Sequence, residues 1–195
     1  MNLSDPKVNQ SGRQFFKTFN RFAVLLWRLG LGKWMNMFPQ SLGRYMVLVH
    51  TGRTSGLRHL TPVNFTVLDG EIYCSAGFGA VSDWYKNIQS NPGIEVWLPD
   101  GWWAGYAEDV TSSEDSSTIL RSLLIDSGFA ASAFGADPRQ LDDNALAKAT
   151  ANYRLIHITR TEPRTGEGGP GDLAYLWPLA TIGLLFILLL QPRRR

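Results

Sequence analysis

Residues 45–62 read Tyr45-Met-Val-Leu-Val-His-Thr-Gly-Arg-Thr-Ser-Gly-Leu-Arg-His-Leu-Thr-Pro62, and residues 76–92 read Ala76-Gly-Phe-Gly-Ala-Val-Ser-Asp-Trp-Tyr-Lys-Asn-Ile-Gln-Ser-Asn-Pro92. The first stretch is an apolar strand, a loop bounded by Gly52 and Gly56, and a second strand. The second is a glycine-rich loop feeding a short helix. Ser82 suits its N-cap, Asp83 its positive end, and Asn91-Pro92 its stop.

Outward from this unit, strand signals recur between turns. Tyr45–His50 and Leu60–Leu68 come first, and Asp69-Gly70 makes a tight hairpin into Glu71–Ala76. Gly93–Leu98 and Trp102–Val110 are joined by Pro99-Asp100-Gly101, and Tyr153–Thr159 is the last strand. Ser112–Asp126 reads as a helix. Thr111…Glu114 has capping-box spacing, Ile119, Leu120, Leu123 and Leu124 form its apolar face, and Gly128 ends it. Residues 129–152 read as a loop and a weak helix from Leu141 to Ala151. Five or six short strands with few helices argue for a mainly β, α+β fold, a small β-barrel or strongly curved sheet with helical cover, over residues 45–160.

The flanks differ from this body. Residues 1–44 hold seven Lys/Arg against Asp5 alone, a net of +6, while residues 45–172 carry a net of −7 and Arg193–Arg195 restore +3. An acidic body argues against nucleic acid as a partner, and a basic arm suits an anionic lipid surface. From Gln14 to Phe38 the pattern is that of a basic amphipathic helix. Phe15, Phe19, Phe22 and Leu26 lie on one side, Arg13, Lys17, Arg21 and Arg28 on another, and Gly30 and Gly32 break it. Residues 161–172 have the composition of a flexible linker. Residues 173–190 then form a low-polarity run of roughly 27 Å as a helix, read as a transmembrane or membrane-inserted segment. Tyr175 and Trp177 sit at one end and the basic tail 191–195 at the other. No signal-peptide pattern opens the chain, and a folded domain ahead of the run is expected on the cytoplasmic side, whereas the three terminal arginines argue for the reverse orientation. Cys74 is the single cysteine, so no internal disulfide forms, and its place in an alternating strand marks it as packing.

Between its two strands, Gly52-Arg53-Thr54-Ser55-Gly56 can turn its backbone N–H groups outward as a nest for an anion, with Arg53, Ser55 and the nearby Arg58 adding charge and donors. Gly77 and Gly79 permit a flat ring to approach the backbone at the N-terminus of the next helix. Trp84 and Tyr85 are adjacent, so one is expected to pack inward and the other to cover a ligand or a second subunit. Asn87 is placed to hold the preceding loop. His50, His59, His157 and Cys74 lack metal-ligand spacing, and no nucleophile–base pair is evident.

Taken in order, the Arg-Thr-Ser-Gly loop, Thr61-Pro62, the Gly-x-Gly loop and Trp84-Tyr85-x-Asn87 resemble the deazaflavin (coenzyme F420)-dependent nitroreductase and quinone reductase family over about Tyr45 to Thr159. The resemblance implies a split β-barrel of the FMN-binding type, often a homodimer, with coenzyme F420 as cofactor and FMN as the alternative. By motif position it implies Arg53, Thr54, Ser55, Gly56 and Arg58 near the phosphate, and Pro62, Ser75, Gly77, Phe78, Gly79, Trp84, Tyr85 and Asn87 around the ring. It implies hydride transfer from reduced F420 to a quinone, a nitro compound or an activated double bond; the basic amphipathic helix and the apolar run would hold such a site at a membrane, where a menaquinone-type acceptor resides. The departures are Thr54 and His59 where relatives often carry Lys and Arg, Ala76-Gly77-Phe78 where a loop lysine is common, and no tyrosine between Ala107 and Asn152. A non-catalytic carrier of deazaflavin or a lipid-like ligand, and an FMN or haem barrel, remain open at this point, and no catalytic residue is named.

Overall fold

The computed structural model describes residues 18–37, 43–128 and 137–190. Six antiparallel strands close into a barrel in the order β1-β2-β3-β6-β5-β4. They are β1 (Tyr45–Thr51), β2 (Arg58–Leu68), β3 (Glu71–Ala76), β4 (Gly93–Leu98), β5 (Gly101–Asp109) and β6 (Arg154–Pro163). The mainly β reading holds, and closure removes every exposed sheet edge. Asp69 and Gly70 both take positive φ, 53° and 86°, as a two-residue hairpin requires. The register from Phe65↔Cys74 to Leu68↔Glu71 follows from that turn.

Alternation divides the strand residues between two faces. Met46, Leu48, Val63, Phe65, Cys74, Val96 and Ile156 fill the interior. The opposite faces of β2, β3 and β6 meet helices α3 (Ser116–Asp126) and α4 (Asp143–Thr150) through Leu120, Leu124, Leu146 and Leu155. Asp142 caps α4, its side chain accepting from the Ala145 N–H at 2.7 Å. The capping box ahead of α3 does not form. Thr111 instead donates to Asp109 and accepts from the Leu155 N–H, so the helix starts only at Ser116.

Helix α1 (residues 18–28) covers the outer face of β1 and β4. Its buried side is Ala23 and Trp27, packed on Val47, Val49 and Trp97, while Phe22 and Leu25 face outward. That side lies roughly 90° round the helix from the Phe19–Phe22–Leu26 stripe. The Trp27 ring is the reason. It fills the space over Gly32, where a Cβ would stand 2.0 Å from the indole. The chain breaks at Gly30, whose φ is +80°, and makes one further helical turn, Gly32–Met35. The expectations for residues 14–17, 38, 129–136 and 191–195 lie outside the described residues.

The segment after β6 is not a free linker. Strand β6 runs on to Pro163, and residues 164–172 then lie back along the barrel as a strap. The Arg164 N–H donates to Trp102 O at 2.7 Å, Arg58 donates to Gly168 O at 2.9 Å, and the Gly171 N–H donates to Trp27 O at 2.9 Å. Arg28 closes it with a two-pronged ion pair to Asp172. Glycine composition permits this close lie, since the Trp102 ring occupies the place of a Cβ on Gly169.

Helix α5 (Leu176–Leu190) is shorter than the apolar run because residues 171–175 turn. The Leu173 N–H donates to Arg28 O, and the Trp177 indole donates to Leu29 O. Its 15 residues span about 22 Å. No helix among the described residues is long and apolar enough to cross a membrane, which corrects the expectation of a spanning helix over 173–190. None of the residues of α5 is buried, and Leu189 and Leu190 are 80% and 79% exposed.

Candidate functional site

One end of the barrel is closed by helix α2 (Asp83–Ser90), entered through a 3-10 turn at Gly79–Val81. Residues 84, 85 and 88 span an arc of about 100° on a helix, the width of one apolar face. Trp84 and Tyr85 therefore both pack against the barrel interior beside Ile88, which corrects the expectation that only one turns inward. The Tyr85 hydroxyl donates to Asp109, and burial first, then that carboxylate, raise its pKa above the usual phenol value. Ser82 occupies the N-cap position without a side-chain hydrogen bond.

Arg53 meets this helix end as a donor and binds Asp83 rather than capping the helix N–H groups. Its guanidinium donates to Asp83 O at 3.4 Å and to Asp83 Oδ1 at 3.2 Å. Both the Arg53 N–H, at 3.1 Å, and Nη1, at 2.9 Å, donate to Asn87 Oδ1. The two motifs read from the sequence thus touch. Within the loop, Gly52 N–H donates to Leu57 O, Gly56 N–H to Gly52 O, and Leu57 N–H to Ser55 Oγ. The nest is therefore narrower than expected, and Thr54 and Ser55 are left with backbone N–H groups that meet no acceptor among the described residues.

Behind Arg53 lies a polar chain that sequence reasoning did not find. Asn87 is 6% exposed and its Nδ2 lies 3.2 Å from Nδ1 of His50, itself 4% exposed. His50 Nε2 lies 3.1 Å from Thr61 Oγ1. His59 stacks on His50 with centroids 5.6 Å apart and reaches Ser55 Oγ at 3.4 Å. Burial first, and the neighbouring His59 second, push the His50 pKa down to about 4. The only signal in the sequence was a histidine in register opposite a histidine across a predicted hairpin.

Two clefts open on the surface, one of them past His50. One, of ≈ 440 Å³, is lined by Gly77, Phe78, Gly79, Ala80 and Val81 with Asn152 and Arg154 opposite. Tyr153 packs under it, its ring 3.6 Å from where a Cβ on Gly77 would be, and burial raises its phenol pKa to about 12. Nothing in the sequence signals Asn152, Tyr153 and Arg154, since they lead into β6, more than seventy residues beyond the glycine-rich loop that they meet only in the closed barrel. The other cleft, of ≈ 420 Å³, is polar and runs past His50, Gly56, Arg58, Glu95, Tyr106 and Arg164. Here Glu95 accepts from Arg164, Arg58 and Trp102. Burial works to raise the Glu95 pKa, but these donors outweigh it and hold it below the usual value.

Three expected site residues fall elsewhere. Arg58 is engaged with Glu95 and Gly168 O and lies over the Trp97 and Trp102 rings, so it faces the strap. Pro62 is buried opposite Val47, on the face beneath α1. Ser75 is paired with Leu155, on the face beneath α3 and α4. Both lie on the outer face of their strands, while the neighbouring residues point to the interior. Cys74 is fully buried, and burial pushes its thiol pKa to about 12. His157 sits apart, paired with Glu71.

A closed antiparallel barrel whose capped mouth carries an arginine, free N–H groups and adjoining clefts defines a small-molecule-binding barrel. The model of the F420H(2)-dependent quinone reductase family matches residues 28–135, more than half of the 195 residues, and the chain belongs to that family. It is an oxidoreductase whose cofactor is coenzyme F420. No curated protein matches the chain. Among solved structures it is similar to a conserved hypothetical protein of Mycobacterium tuberculosis, 20% identical, covering 69% of this chain and 90% of that one at a TM-score of 0.48. It is also similar to the heme storage protein HutZ of Vibrio cholerae, 10% identical, covering 72% and 94% at 0.45. An F420-H2 dependent reductase is 14% identical, with coverage of 60% and 94% at 0.40.

Proposed function

We propose that the chain transfers a hydride from F420H2 to a lipid-soluble quinone at a membrane surface, holding the cofactor between the Arg53 loop and the Gly77–Gly79 cleft. The observation that carries this reading is the bridge from Arg53 to Asp83 and Asn87, which joins the anion-facing loop to the helix that follows the cleft. The residues fit a flat, phosphorylated group. The cleft has the volume of a ring site, while Arg53 and the free N–H groups of Thr54 and Ser55 suit an anion. Bound F420H2 supplies the hydride. The chain orients it, excludes water with the α2 plug, and presents Arg154 where negative charge would gather.

The membrane half of the reading is supported by apolar surface. Helix α5 is exposed on every side, and Phe22, Trp34 and Met37 are exposed apolar side chains of the first segment. A helix apolar all round lacks the polar face of a solvated one. The basic first segment supplies charge for anionic lipid. A nitro compound or an activated double bond as acceptor, and a homodimer, are the competing forms of the same reading.

Titration with F420 and, separately, FMN, followed by ligand fluorescence, tests the cofactor site. F420 is expected to bind and FMN not. Arg53→Ala should weaken F420 binding by about 1–3 kcal/mol, the loss of a charge-assisted contact. Unchanged affinity in that variant removes the loop from the site. Turnover with a menaquinone analogue in lipid vesicles, set against a nitro compound, tests the acceptor.

A further inference from the structure

His50 and Asn87 are the buried polar side chains of the barrel mouth, and their bonding has one consistent solution. Arg53 aims two donors, its backbone N–H and Nη1, at one atom of Asn87, which must be the amide oxygen. The Asn87 nitrogen then faces His50 Nδ1 at 3.2 Å, so Nδ1 carries no hydrogen and accepts. The ring proton sits on Nε2 and is donated to Thr61 Oγ1 at 3.1 Å.

The geometry points to His50 as a positioning residue for the cofactor. In its neutral Nε2–H form it fixes the Asn87 amide, and through it the backbone and guanidinium of Arg53. This rests on the reading that the Arg53 loop takes the anionic end of F420. Around the ring stand His59 and Thr61 from β2 and Asn87 from α2, with Arg53 and Asp83 one contact further out. A second proton on His50 would set N–H against N–H at Asn87 and break the chain. The neutral ring buried among these groups agrees with its lowered pKa.

Two measurements on the full chain in detergent micelles test this. Long-range nitrogen–proton NMR of the histidine rings is expected to show His50 as the Nε2–H tautomer, unchanged from pH 7 to 5. F420 affinity by fluorescence is then compared for His50→Asn and His50→Phe, each with and without Arg53→Ala. Asn keeps an acceptor near the Nδ1 position and should bind within about threefold of the unaltered chain, while Phe should lose about tenfold. In the Arg53→Ala background His50→Phe should cost clearly less than tenfold, since the guanidinium arm of the chain is gone and only the backbone N–H still meets Asn87. An Nδ1–H tautomer, full affinity in His50→Phe, or the same loss on the Arg53→Ala background overturns the role. The last result would mean that His50 serves the barrel alone. Full affinity in Arg53→Ala itself would instead bring down the cofactor site, and the His50 role with it.

Discussion

Neutral burial of His50 sets the acid limb of stability. The ring is 4% exposed and its pKa falls from 6.5 to about 4 on folding. Between those values the unfolded chain binds a proton that the folded chain refuses, so stability rises with pH through this window. The contribution is complete above pH 6.5 and is lost as pH falls towards 4. Linkage over this difference gives about 3 kcal/mol in full, of which about 2 kcal/mol should go between pH 7 and 4.5. The measurement is a difference between two proteins, so that every group other than His50 cancels. Urea unfolding of the detergent-solubilised chain and of His50→Asn at both pH values isolates the term, because Asn does not titrate. The unaltered chain should lose about 2 kcal/mol more than the variant. Equal losses would refute the reasoning, since they would mean that His50 takes up its proton in the folded state as readily as in the unfolded one.

Other perturbations reach other parts of the molecule. Gly32→Val drives side-chain atoms into the Trp27 indole, 2.0 Å from the new Cβ, and should cost about 1–3 kcal/mol in thermal unfolding; an unchanged melting temperature would unseat the packing of α1. Cys74, fully buried with its thiol pKa near 12, should resist thiol reagents in the native protein and react only on unfolding. Rapid native labelling would place it outside the core. Cutting the chain after Tyr175 removes α5 but leaves the strap bonds of Gly171, Asp172 and Leu173. The shortened protein should keep its F420 affinity and fail to float with anionic vesicles; if it still floats, α5 is not the anchor.

The strands were legible because their turns are written locally. Asp69-Gly70 and Pro99-Asp100-Gly101 fix two hairpins, and Glu71–Ala76 and Gly93–Leu98 appear with the bounds read from the sequence. Parity is harder, and Pro62 and Ser75 show why. Motif position puts both around the ring, and in this barrel each lies on the outer face of its strand, beside Val47 and Leu155. A period of two tells which residues share a face, but not which face a ligand will use. Contacts between distant segments were illegible for a different reason. Ser82 was a sound N-cap by type, but Arg53, 30 residues earlier, reaches Asp83. The glycine-rich strap looked flexible because composition reports the entropy of the free chain. It says nothing of the carbonyl acceptor that Gly168 offers to Arg58, or of the Trp102 ring that needs the missing Cβ of Gly169. The same limit explains His50. Its role comes from a chain of donors that passes through Asn87 from two sides, and hydrogen-bond direction along such a chain exists only once three separate segments have met. What the sequence carries is each residue's capacity to donate or accept, and folding decides which capacities are used.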